Sequence, residues 1–138
     1  MQEMTLAPPL AAIVEESLED FAGLAQVPIH AVLADGTIAW ANDAELHALG
    51  YSADEYIGLD VRTIHMDPEV IARILGILSG GNGLDAYPAR LLAKDGTPRY
   101  VLISSNVHWR DGAFISTRCF SMRVSEPIYR AAKTAMQQ

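Results

Sequence analysis

Apolar residues crowd the stretch between Arg99 and Trp109, where Arg-Tyr-Val-Leu-Ile-Ser-Ser-Asn-Val-His-Trp runs without a glycine or proline. A stretch so rich in β-branched and aromatic residues reads as a long strand. Alternation puts Tyr100, Leu102, Ser104, Asn106 and His108 on one face. Val101, Ile103, Ser105, Val107 and Trp109 fall on the other. Both faces begin apolar, so each needs a cover. Lys94-Asp95-Gly96-Thr97-Pro98 before the strand and Arg110-Asp111-Gly112 after it are hairpin signals, because Asp-Gly supplies the positive φ angles of tight turns. The pattern predicts an antiparallel meander of strands over Leu84–Ala93, Arg99–Trp109 and Ala113–Val124.

Elsewhere the period changes. Leu10, Ile13, Val14, Leu18, Phe21 and Leu24 recur at helical spacing behind Pro8-Pro9, with Glu15, Glu16, Glu19 and Asp20 opposite. This predicts one amphipathic helix over Leu10–Leu24. Pro28–Ala34 and Thr37–Ala41 form a hairpin around Asp35-Gly36. Asn42 is placed to cap a helix over Ala44–Leu49, which stops at Gly50. Ser52 and Glu55 have capping-box spacing, and Gly58 closes that turn. A longer helix runs from Pro68 to about Leu78, with Val70, Ile71, Ile74, Leu75 and Leu78 as its core-facing stripe, and Ser79–Gly83 breaks it. Ser125 caps a last helix whose first turn holds Glu126-Pro127 and whose apolar side is Ile128, Ala131, Ala132, Ala135 and Met136. The chain divides into a flanking helical segment (1–26), a central domain (27–125) and a C-terminal helix (126–138).

Composition narrows the classes. Half of the 138 residues are hydrophobic and a fifth are charged, as in one globular domain. The net charge of −7 disfavours nonspecific binding to nucleic acid or anionic membranes. Cys119 is the only cysteine, which excludes an internal disulfide and a CxxC metal site. No apolar run approaches the roughly 18 residues of a membrane span, and Met1–Leu6 lacks the features of a signal peptide, so a cytosolic setting is expected.

Asp35-Gly36-Thr37-Ile38-Ala39-Trp40-Ala41-Asn42, followed by Leu49-Gly50-Tyr51-Ser52 and Glu55-Tyr56-Ile57-Gly58, resembles the opening of a PAS sensor domain of the bacterial sensory-box type. His65-Met66-Asp67-Pro68 resembles that family's His-Pro-Asp stretch, and Arg90–Tyr100 its third-strand hairpin. The likeness covers about Val27 to Ser125. It implies an α+β fold: a five-stranded antiparallel sheet, order 2-1-5-4-3, with short helices on one face and helices at both ends. One departure stands out. Arg123 occupies the place of an Asp that in this family ties the sheet to the outgoing helix, so coupling to a downstream module is in question. The chain reads either as an excised sensor segment or as a complete small protein working through dimerisation.

The resemblance also implies a ligand position, between the helices and the inner sheet face. Matching the hairpin turn to the family's flavin-binding branch turns Leu91, Val101, Ile103 and Ser105 inward. Thr117, Cys119 and Ser121 join from the last strand, Val32 and Ala34 from the first, and Ile74 from the long helix. That wall is small, apolar and studded with hydroxyls, which suits a modest ligand and equally an ordinary core. Light-sensing members carry a reactive cysteine where Gly58–Ile64 has none, and their flavin-contacting asparagines correspond to Leu91 and Val101, so a flavin site of that type is not expected. Haem-binding members place a histidine where Glu69 stands. Haem remains an alternative, because imidazole and thioether both ligate iron and His65, Met66, His30, His108 and Met122 are present. His65 is the first candidate, although its motif is structural in the family, whereas His108 and Met122 fall on the far face.

Catalysis is not expected. Cys119 has no basic partner nearby in sequence and reads as a buried, unreactive thiol. Nucleophile-elbow, phosphate-loop and HExxH patterns are absent. The expectation is a non-catalytic sensory and signal-transduction module that binds a small ligand, homodimerises to regulate an attached kinase or other output partner, or does both. The alternatives are a haem-based gas or redox sensor and a pure dimerisation module. The dimer surface would combine Leu10, Ile13, Val14 and Phe21 with an outer sheet patch of Tyr100, Leu102, Phe120 and Met122, which is too apolar to leave wet.

Overall fold

A computed structural model describes residues 10–137; the side chains of Leu10, Ile13 and Val14 lie outside the described residues, so the dimer contacts expected of them do too. The meander is the spine. Asp111 and Gly112 take φ values of 51° and 78°, the left-handed pair a two-residue hairpin needs, and join β4 (Pro98–Arg110) to β5 (Ala113–Arg123). β3 (Leu84–Leu92) pairs with β4 on the other side. β1 (Ile29–Val32) lies antiparallel to β5 and carries β2 (Ile38–Ala41) on its far edge. The sheet order is β2-β1-β5-β4-β3, the expected 2-1-5-4-3.

Helices cover the inner face. Asn42 caps α3 (Asp43–Leu49), which ends at Gly50 in the left-handed conformation. Ser52 and Glu55 make both halves of a capping box on α4 (Ala53–Tyr56). A 3-10 turn (Val61–Ile64) then leads to α5 (Pro68–Ser79), which buries Ile71, Ile74 and Leu78. These meet Val32, Leu91, Val101, Ile103 and Val107 in one core, so Val101 and Ile103 do face the long helix side.

Three expectations fail, each for a local reason. The N-terminal segment is two helices, α1 (Leu10–Glu15) and α2 (Leu18–Gly23), and not one. Ser17 between them is extended and its hydroxyl accepts from the Asp20 N–H at 3.0 Å, so a side-chain cap outcompetes helix continuation. β1 ends at Val32, because Gly36 N–H already closes a turn on Leu33, and this leaves Ala34 exposed. Trp109 leaves the inner face at a bulge after His108 and packs edge-on against Phe114 instead.

The outer face takes its cover from α6 (Glu126–Met136), capped by Ser125. Tyr129 is buried there, its ring 5.1 Å from that of Tyr100. Leu18 and Phe21 of α2 remain exposed, as do Phe120 and Met122.

Candidate functional site

The interior is more polar than its strand pattern suggests. Alternation with Val32 turns His30 inward, where it is 4% exposed. The Asn42 cap sets the phase of α3 so that Glu45 and Leu49, one turn apart, both point into the core. The Glu45 carboxylate, 1% exposed, meets His30 Nδ1 at 2.7 Å. Asn42 braces this arrangement. Its Oδ1 accepts from the N–H groups of Ile29 and Glu45, and its Nδ2 donates to the carbonyls of Ala22 and Val27.

Across the β1–β5 ladder His30 is the register partner of Cys119. The Cys119 Sγ lies 2.9 Å from Ser105 Oγ and donates to Thr117 Oγ1 at 3.2 Å. Thr117 Oγ1 in turn accepts from the Val32 N–H. Carboxylate, imidazole and thiol therefore stand in series inside the domain. His65 completes the group. Its backbone bridges to Leu91, its ring is buried, and its Nδ1 has no hydrogen-bond partner among the described residues.

Electrostatics follows from burial and neighbours. Burial alone favours a neutral His30, but the Glu45 carboxylate and then Cys119 outweigh it and hold the ring well above the usual histidine range. Burial likewise raises the Cys119 thiol, while the His30 charge and the hydrogen bonds around the sulfur bring it below the usual thiol value. Burial, followed by the charge on His30, pushes His65 down to about 4, so it is neutral at pH 7.

Of the residues expected to line a pocket, Val32, Ile74, Ile103, Thr117 and Cys119 surround one cavity of about 20 Å³, together with His30 and His65. Leu91, Val101 and Ser121 line a separate space of about 10 Å³ beside Glu45 and Leu49. Ser105 is buried against Cys119. Ala34 belongs to neither, since it lies in the exposed turn after β1. Cys119 is buried as expected, and a basic neighbour, absent nearby in sequence, comes from a strand 89 positions away. His30 and Glu45 were not among the residues expected to line the interior. Alternation from Val32 and the four-residue spacing to Leu49 were the signals available.

Each cavity has room for about one water molecule, whereas a drug-sized or cofactor-sized ligand takes several hundred Å³. Leu91 and Val101 are packed and offer no hydrogen bond. Neither flavin nor haem fits the residues as arranged. Glu69 is exposed, and His108 and Met122 lie on the outer face. Among the described residues no group of three or more His, Cys, Asp or Glu is arranged to hold a metal ion, and no helix is long and apolar enough to cross a membrane.

The fold is shared with solved sensor domains. A light-oxygen-voltage domain studied with a flavin analogue superposes with a TM-score of 0.75 at 19% identity, covering 91% of this chain and 97% of that one. The PAS domain of an HTR-like protein from Haloarcula marismortui gives 0.68 at 20% identity, over 83% and 95%. A domain of a sensory box sensor histidine kinase/response regulator from Geobacter sulfurreducens gives 0.65 at 22%, over 75% and 89%. No curated protein matches the sequence. The family model of the PAS domain matches residues 27–123, most of the chain and all five strands. This protein belongs to the PAS domain family.

Proposed function

We propose that this chain is a non-catalytic sensory module that registers a small chemical signal between its helices and inner sheet face. It passes that signal to an output partner, a kinase or another effector, through α6 and the N-terminal helices. The observation that carries the reading is the buried cluster of His30, Cys119 and His65 around a cavity, with Glu45 paired to His30 behind it. A core built for stability alone has no use for it: burying charges costs several kcal/mol each before pairing, and perturbed ionisable groups gather where function needs them.

The route outward is short. Met66 N–H donates to the Arg90 carbonyl, and Asp67, two residues beyond His65, takes a bidentate ion pair from Arg90 on the outer side of β3. Arg90, Tyr100 and Tyr129 line one cleft with α6. A shift at His65 thus has two residues to cross before reaching the helix that leaves the domain. Native mass spectrometry and an absorption spectrum of freshly purified protein test the reading, together with hydrogen exchange along α6. Retention of a small molecule, or exchange in α6 that changes when the cluster is chemically altered, is the expected outcome. An empty interior whose alteration never reaches α6 overturns it.

A second reading, compatible with the first, is homodimerisation in the cytosol. The exposed apolar side chains of Leu18, Phe21, Phe120 and Met122 favour it.

A further inference from the structure

The cavity beside Cys119 limits what can act there, because about 20 Å³ admits a water-sized group or at most a molecule of two heavy atoms. Three features meet in it. Cys119, 5% exposed, lines it together with His30, its register partner across the β1–β5 ladder, and Glu45 holds the His30 ring through its Nδ1. Such a series, in which a carboxylate orients an imidazole beside a thiol, activates nucleophilic cysteines. The Ser105 and Thr117 hydroxyls both reach the sulfur. Lastly, His65, more than nine-tenths buried, lines the same space, and its Nδ1 has no partner among the described residues. An unpaired polar atom in a core is costly unless something satisfies it.

We infer that Cys119 is a peroxide-reactive thiol and that hydrogen peroxide is the signal this cavity takes. The inference rests on the sensory reading above and names its chemistry. The Cys119 thiolate attacks one oxygen of hydrogen peroxide and the O–O bond breaks. The departing hydroxide takes the proton of the His30 imidazolium and leaves as water. Sulfur loses two electrons to the peroxide and becomes a sulfenic acid, while His30 becomes neutral. The product adds a single oxygen, the volume the cavity offers. Its hydroxyl is both donor and acceptor, so it satisfies His65 Nδ1 in either tautomer. Since Cys119 is the only cysteine, no internal disulfide can follow, and the mark persists until an external thiol removes it. Loss of the His30 charge also leaves Glu45 facing a neutral ring, which changes the packing of α3 on β1.

The test exposes the whole chain to hydrogen peroxide, removes the excess with catalase, unfolds the chain in denaturant with dimedone to trap sulfenic acid, and reads the Cys119 peptide by mass spectrometry. Wild type should gain one oxygen at Cys119 at least about tenfold faster than the Glu45→Gln variant, in which the imidazole loses its orienting charge. tert-Butyl hydroperoxide, too bulky for the cavity, should react no faster with wild type than with the variant. Glu45 acts only through His30, so its test includes a pH profile. The rate of Glu45→Gln should need a higher pH for half-maximum, and Glu45→Asp should restore part of the shift. The groups facing the sulfur in that titration are His30, Glu45, Tyr56, His65, Ser105 and Thr117. His30→Asn serves as a second variant if Glu45→Gln fails to fold. Oxidation no faster than in the denaturant-unfolded chain, or as fast in the variants as in wild type, overturns the peroxide chemistry whatever α6 does. Fast oxidation with no change in hydrogen exchange along α6 leaves the chemistry standing and overturns the sensory reading.

Discussion

His65 and His30 sit on one cavity and respond to pH in opposite senses. Unfolded, His65 protonates near pH 6.5; folded, it does so at about 4. Between those values the unfolded chain binds the extra proton and the folded chain does not. Its contribution is complete above pH 6.5 and falls away as the pH drops to 4, by up to about 3 kcal/mol. His30, raised by Glu45, contributes stability below pH 6.5 and loses it as the pH climbs through its higher folded value. The groups facing His65 are His30 and Asp67. Urea unfolding at pH 7 and pH 4.5 should therefore show a smaller acid loss for His65→Leu than for wild type. Equal losses would mean that the buried ring is not the cause. The pair itself gives a second expectation. Glu45→Ala strands a buried imidazole and should cost about 3 kcal/mol, whereas replacing both partners with apolar residues of similar size should recover most of it. If the double variant unfolds as easily as the single one, the lost pairing is not what destabilises it.

Helices on opposite sides of the sheet differ in what holds them. α5 is anchored by three buried aliphatic side chains, whereas α6 buries one large residue, Tyr129, against Tyr100. Its remaining large apolar residues, Ile128 and Met136, are exposed. α6 should therefore detach without the sheet unfolding. Tyr129→Ala is expected to abolish amide protection over Glu126–Met136 and to leave the β4 and β5 amides protected, as read by hydrogen exchange. Loss of protection in both would mean that α6 is part of the cooperative core. Asn42 makes the opposite case. One side chain, 1% exposed, caps α3, closes β1 and holds the carbonyls behind α2. Asn42→Ala should cost about 2 kcal/mol or more in thermal or chemical unfolding, above an ordinary cap loss of about 1 kcal/mol.

On the scale of the whole molecule, exposed apolar residues occur both on α2 and on the uncovered part of the outer face. Leu18 is 80% exposed, Phe21 60% and Met122 59%. If these meet a second copy, removing residues 1–25 should convert a dimer to a monomer in sedimentation or light scattering. Phe120→Glu should weaken the same assembly. A truncated chain that remains a dimer would place the interface elsewhere.

Sequence alone determined whatever depends on short-range rules. The Asp-Gly turns, the Asn42 and Ser52 caps, the α5 stripe and the alternation of β4 are set by neighbours within a few residues, whereas the five-strand order came from the resemblance to the PAS family. Where it went wrong, a competing local bond was overlooked: the Ser17 cap that splits the first helix, the turn that excludes Ala34, the bulge that turns Trp109 out. What lay beyond it was the chemistry of the interior. Nothing near Cys119 in the chain announces a base, and nothing near His30 announces a carboxylate. Only the pairing of β1 with β5, and the phase of α3 above them, brings those three groups together. Contacts between residues far apart in sequence depend on how strands and helices pack, and packing is a property of the folded molecule.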